Sequence, residues 1–283
     1  MTKGRQCSLA YRVILFRSGG LGDILLTLPL VKKLEDVFKE IIICIPSKYH
    51  FLLQQFSPKA QLNDLDEGDE EIIKYADGAE VICFWNDPQW IIRWKSAGSS
   101  RVRVFDPRPS NGDHFSKSLI DQFGEPVDRI ELDKPWLRLN EASIQRHPEN
   151  LWIDPGSGSQ KKNLPLSEYI LFATNWLKKS PSSRIIFSFG EADLKLEKEF
   201  SQQTFSKDSH VGSKIFSSLE DFYFSLMKHS GFFVGNDSGP SHMAAMLGIE
   251  THVWFRVTDP RVWAPLGPSV KVHQTDSVPS NIL

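Results

Sequence analysis

Short apolar runs of four to six residues alternate along this chain with longer amphipathic stretches, and the alternation occurs twice. An apolar strand followed by a helix-period segment is the signature of a βα unit, whose sheet is parallel and covered by helices. In the first half the strand runs are residues 13–17, 41–45, 80–84 and 101–105; in the second they are 151–154, 184–188, 231–235 and 251–255. Residues 167–179 and 218–229 read as helices between the later strands. The pattern breaks in polar sequence between Asp133 and Asn150, beside Pro135 and Pro148, and then restarts. This predicts two α/β domains, 1–140 and 141–283, with a cleft between them as the default ligand site.

Composition narrows the class of protein. Of the 283 residues 40% are hydrophobic and 24% charged, and 33 Lys+Arg against 35 Asp+Glu leave a charge of -2, which speaks against disorder and against a basic nucleic-acid binder. The apolar runs are far shorter than the roughly 20 residues a membrane-spanning helix needs. Arg12 and Arg17 bracket the first apolar stretch and leave it too short for a signal peptide, so a cytoplasmic location is expected. The three cysteines, Cys7, Cys44 and Cys83, have no zinc-binding spacing, and Cys44 and Cys83 lie in strand runs as core residues.

Two places along the chain carry chemistry. The first strand runs into Ser18-Gly19-Gly20-Leu21-Gly22-Asp23 and then into an apolar-periodic helix from Ile24. Glycines in a βα turn let a ligand approach the backbone, and Asp23 is placed to cap the helix. The glycine spacing fits neither a dinucleotide fingerprint nor a P-loop.

In the second half, Asp154-Pro155-Gly156-Ser157-Gly158-Ser159-Gln160-Lys161-Lys162 exposes N–H groups, hydroxyls and positive charge suited to phosphate oxygens. Further on, Asn236-Asp237-Ser238-Gly239-Pro240-Ser241-His242 marks a helix start, where free N–H groups and the helix dipole favour an anion. Asp237 there is read either as a cap for that helix or as part of a ligand site. Two anion-ready loops in one domain suggest a diphosphate.

With these residues in view, the chain resembles the heptosyltransferases of lipopolysaccharide core synthesis, glycosyltransferase family 9. Residues 13–29 with Gly22-Asp23, 155–165 with Lys162, and 234–248 with the Asp237 to His242 run carry the resemblance, and Thr258-Asp259-Pro260 resembles the family's closing motif. The resemblance implies a GT-B fold of two Rossmann-like domains, with the acceptor on the N-terminal one and an ADP-sugar donor on the C-terminal one. It implies an inverting transfer, with no metal or other cofactor, of a sugar such as heptose to a lipopolysaccharide-core or related glycan at the inner membrane surface.

Asp23 would be the general base and Lys162 would stabilise the leaving diphosphate. Gly20, Gly22, Ser157, Gly158, Lys161, Asp237, Ser238, Gly239 and His242 would surround the donor, and either Glu191 or Asp193 would take the ribose. Where the family carries Lys-x-Trp-Pro, this chain has Lys162-Asn163-Leu164-Pro165. A non-catalytic member that binds nucleotide or glycan, or another nucleotide-sugar enzyme such as an epimerase, are the competing readings.

Two other features read as structure. Asp64-Leu65-Asp66 has the form of a metal-binding Asp-x-Asp, but it opens an acidic run, Asp66 to Glu71, of the kind found in solvated loops and helix starts. Trp90 and Trp94 share a helix face four residues apart, and with Trp85 they are expected in the core rather than stacked on a sugar.

Overall fold

The computed structural model describes residues 10–109, 112–124, 131–137, 147 and 149–278. Cys7 and Pro148 lie outside the described residues. The chain forms two compact units, Met1–Ile130 and Glu131–Leu283. The division falls before residue 140 because Leu132 and Leu137 already belong to the second unit: Gly267 N–H donates to the Leu132 carbonyl at 3.1 Å, and Leu137 N–H to the Met246 carbonyl at 2.9 Å.

Unit 1 contains strands β1 (Ala10–Phe16), β2 (Phe38–Ile45), β3 (Gln61–Asp64), β4 (Glu80–Cys83) and β5 (Arg101–Val104). Its helices are α1 (Leu21–Val37), α2 (His50–Phe56), α3 (Pro88–Ser96) and α4 (Phe115–Phe123). The sheet order is β3-β2-β1-β4-β5, all parallel. Ile14, Phe16, Ile42, Cys44, Val81 and Cys83 fill one of its cores. Burial pushes the Cys44 thiol up to about 12 and the Cys83 thiol to about 11, so both behave as small apolar residues.

The tryptophans are part of this packing. Trp85, Trp90 and Trp94 surround Phe16 with ring centroids 6.0, 5.2 and 5.2 Å away. The acidic run holds α3 in place: Asp69 accepts from the Trp94 indole at 2.9 Å and pairs with Arg93 at 2.8 Å, while Glu70 takes the other arm of Arg93 at 3.0 Å. Asp64 closes its own turn, accepting from the N–H groups of Ser47 (3.2 Å) and Asp66 (3.1 Å). The Asp-x-Asp run is thus engaged in local structure.

Unit 2 contains β6 (Leu151–Asp154), β7 (Ile185–Gly190), β8 (Val211–Phe216), β9 (Phe232–Asn236), β10 (Glu250–Trp254) and β11 (Val270–His273). Its helices are α5 (Leu166–Lys179), α6 (Leu194–Ser201), α7 (Leu219–His229), α8 (Gly239–Met246) and α9 (Pro260–Trp263). The parallel order β11-β10-β9-β6-β7-β8 is the doubly wound arrangement, and its direction reverses between β6 and β9. Ligands of such sheets bind beyond the strand ends at that reversal, which is where the loops after Asp154 and Asn236 emerge. Unit 1 has the same kind of reversal between β1 and β4, where the glycine turn begins.

Candidate functional site

The loops of unit 2 are held by one buried amide. Asn236, fully buried at the end of β9, donates through Nδ2 to the Pro155 carbonyl (2.8 Å) and accepts through Oδ1 from the Leu164 N–H (3.1 Å) and the Tyr169 hydroxyl (2.8 Å). A buried amide with its partners satisfied fixes geometry, because any other placement leaves polar groups unpaired. Both ends of the Pro155 to Leu164 loop are therefore set from β9.

Leu164 is buried in the core with Tyr169 and Phe172, so the position where the family carries tryptophan is filled here by an aliphatic core residue. Within the loop, the Ser157 hydroxyl sits 2.5 Å from Asn163 Oδ1, and Arg256 Nη1 donates to the Asn163 carbonyl at 2.7 Å. Gly158 and Lys161 are exposed.

Asp237 is the electrostatic centre. Its side chain is 7% exposed, and its Oδ2 accepts from Lys162 Nζ at 2.6 Å and from the Thr258 hydroxyl, while His242 Nε2 stands at ion-pair distance, 3.8 Å from Oδ1. Burial pushes this carboxyl upward, but His242, Lys162 and Thr258 outweigh burial and hold it at about 2. Asp237 does not cap α8. Ser238 is the N-cap residue and its side chain makes no capping bond, so the Gly239 and Ser241 N–H groups of the first turn are kept for an anion, Pro240 between them having none. Lys162 uses one of its three donors on Asp237, and two remain.

Beside the loop lies a groove of about 590 Å³ lined by Ser157, Gly158, Asn163, Asp193, Lys195 and Arg256 among others. Of the two acidic candidates after β7, Asp193 faces this groove and Glu191 is exposed. The Asp193 carboxylate accepts from the Gly190 N–H at 3.2 Å and lies so close to Gly156 that a Cβ there would come within 2.4 Å of it. Beneath them Asp154, 4% exposed, is bonded to the Ser188 hydroxyl at 2.6 Å, which also accepts from the Trp152 indole at 2.7 Å. Burial pushes the Asp154 carboxyl up to about 8, the Ser188 bond opposing it and the Asp193 charge adding to it.

In unit 1, α1 begins at Leu21, with Gly20 as N-cap and Asp23 as its third residue. Asp23 is therefore not the N-cap. It reaches back instead, its Oδ2 accepting from the Gly20 N–H at 2.9 Å, while Oδ1 pairs with Arg17 Nη2 at 2.9 Å. Gly19 has φ +126°, a conformation that favours glycine, and a Cβ there would meet the Asp23 carboxylate at 2.7 Å. Gly20 and Gly22 lie in this same turn of unit 1.

Arg17 escapes motif reading, and Asn236, Thr258 and Asp154 stand in the motifs without their roles being legible there, since each acts through its tertiary partners or through burial. The one available signal is a polar residue ending a wholly apolar strand, as in Phe232-Phe233-Val234-Gly235-Asn236 and Leu151-Trp152-Ile153-Asp154.

Two Rossmann-like units with parallel sheets, the second with an uncapped helix start and a lysine at its sheet reversal, are the architecture of the GT-B fold, the fold of the solved structures this chain resembles. The sequence profile of glycosyltransferase family 9 (heptosyltransferase) matches residues 137–280, and the chain belongs to that family. Comparison with curated proteins yields no match. Among solved structures, a glycosyl transferase family 9 protein from Veillonella parvula DSM 2008 is 15% identical over 96% of this chain and 90% of its own, with a TM-score of 0.72. E. coli heptosyltransferase WaaC with ADP is 13% identical, covers 96% and 97%, and has a TM-score of 0.71. E. coli ADP-heptose lps heptosyltransferase II is 15% identical, covers 93% and 90%, and has a TM-score of 0.69. At these identities the likeness establishes the fold.

Proposed function

We propose that this glycosyltransferase moves a heptose-like sugar from an ADP-sugar to a hydroxyl of a lipopolysaccharide-core or related glycan, with inversion and without a metal. The observation that carries the reading is the lysine paired with Asp237 beside an uncapped helix start. Together they offer an ammonium, backbone N–H groups and a helix dipole to the same anion. ADP as the nucleotide is the expectation from the family resemblance, and the ADP in the WaaC structure supports it.

In the transfer, the bond between the anomeric carbon and the diphosphate oxygen breaks as the acceptor oxygen bonds to that carbon from the opposite side. Asp23 takes the acceptor's proton. Lys162 and the N-terminus of α8 stabilise the charge that grows on the diphosphate, the role a divalent metal fills elsewhere. Ser157 and Gly158 line the groove as phosphate or ribose contacts, with Asp193 the better placed acid for ribose. Lys161, Gly239 and His242 complete the anion's surroundings.

The acceptor belongs to unit 1, whose Gly20 and Gly22 turn also lets the donor approach the backbone, and a peripheral cytoplasmic position at the inner membrane suits a glycolipid acceptor. No helix among the described residues is long and apolar enough to cross a membrane. A calorimetric screen of ADP, UDP, GDP and CDP in the presence of a chelator tests the donor reading. ADP should bind tightest without metal. Binding that appears only with added magnesium or manganese, or a preference for another base, contradicts it.

A further inference from the structure

Arg17 is 3% exposed, and a guanidinium at that depth is rarely found without a partner or a task. It is held between two rings, its Cζ 4.2 Å from the centre of the Phe84 ring and 5.4 Å from that of Phe115. Two of its donors are committed: Nε to the Thr27 hydroxyl at 3.3 Å and Nη2 to Asp23 Oδ1 at 2.9 Å. Thr27 in turn donates to the Asp23 carbonyl at 2.8 Å, so the same residue is held by its backbone and by its side chain. The other carboxylate oxygen accepts from the Gly20 N–H at 2.9 Å.

Each Asp23 oxygen thus receives one bond in a fixed direction and keeps a lone pair, and the side chain is 37% exposed. Burial lowers the pKa of Arg17, and its contact with Asp23 works against that loss. For stability alone, an apolar side chain of similar volume commonly serves as well as a buried ion pair.

We infer that Arg17 is a positioning residue for the transfer, aiming the Asp23 carboxylate at the acceptor hydroxyl; this rests on the reading of Asp23 as the base. A lysine cannot take its place. Its compact ammonium lacks the rigid fork with which Arg17 reaches Thr27 and Asp23 at once, and the delocalised charge that Arg17 sets over the Phe84 ring.

The test compares wild type, Arg17→Lys and Thr27→Val, each with and without Asp23→Asn. ADP release from ADP-heptose with a truncated lipopolysaccharide-core acceptor is measured, together with hydrogen exchange at the Gly20 N–H. Arg17→Lys should lower kcat by roughly 10- to 100-fold, the scale of a 1 Å misplacement, with the donor KM unchanged. It should also speed exchange at Gly20, and it should cost nothing further once Asp23→Asn is present. Thr27→Val should show the same pattern with a smaller loss, and it carries the test if Arg17→Lys does not fold.

A normal kcat in Arg17→Lys, or a loss that repeats in full on the Asp23→Asn background, overturns the inference while leaving Asp23 as the base. Wild-type transfer by Asp23→Asn removes the base itself, and the inference falls with it.

Discussion

Lys162 and Asp237 stand 75 residues apart in the chain, and their side chains meet at 2.6 Å. The contact joins the loop after β6 to the loop after β9, on the two sides of the sheet reversal. Thr258 brings the turn after β10 to the same carboxylate. Three loops are therefore registered by one buried charge, and the lysine that makes the pair keeps two donors for a ligand.

Lys162→Met should weaken ADP binding at least about 10-fold, because it removes a charge-assisted contact and loosens the loop. It should also change the acid limb of stability. The Asp237 carboxyl is held at about 2 in the fold and has an ordinary value of 3.8, so its contribution is complete above pH 4 and is lost as pH falls from 4 toward 2. That contribution is about 2 kcal/mol in wild type. Denaturation between pH 2 and 5 should show a shallower slope in the variant, and an unchanged slope would remove Lys162 as the cause.

Asp154 predicts the opposite pH dependence. Its carboxyl is raised to about 8 in the fold, so the folded chain keeps a proton that the unfolded chain releases above about pH 4. Stability from this group is full at low pH and is lost as pH rises from 4 to 8. Asp154→Asn should melt at least roughly 2–4 °C above wild type at pH 8.5, equivalent to about 1 kcal/mol, and the gap should narrow steadily and close near pH 4. A constant gap across that range would show that Asp154 is not the titrating group.

Most strands that could be read from sequence are buried on both faces, β5 at the edge of its sheet being the exception. Residues 41–45 are Ile-Ile-Ile-Cys-Ile and all five are buried. The strands that escaped are β3, β8 and β11, each at an edge of its sheet. Val-Gly-Ser-Lys-Ile-Phe in β8 is exposed from Gly212 to Ile215 and carries a glycine, so it shows neither an apolar run nor an alternation. At the site, glycine, serine and proline announced the loops, and the one local signal of the residues that hold them was a polar residue ending an apolar strand, as at Asn236. Asp237 looked like a cap because it precedes a helix, and only the fold brings Lys162 and Thr258 to it. Asp23 likewise looked like an N-cap until the helix was seen to begin two residues earlier.

In a helix cap alone Asp23→Asn would be nearly silent, since Asn caps as well as Asp, but Asp23 also pairs with Arg17. The amide still accepts from the Gly20 N–H, but it leaves Arg17 without a counter-charge. The variant should lose about 1 kcal/mol, a modest figure because the pair is partly open to solvent. Its turnover should fall by roughly 10²- to 10⁴-fold while ADP binding is kept. A well-folded Asp23→Asn protein with near-normal transfer would return the residue to a purely structural role.

The most direct test of the account is the turnover of ADP-heptose by the purified protein in chelator, with a truncated lipopolysaccharide-core acceptor, in wild type and in Lys162→Ala. The account predicts ADP release that depends on acceptor, proceeds without metal, and falls by at least about 10-fold in both kcat and kcat/KM in the variant. Release that is absent from wild type, or equal in the two proteins, would contradict it.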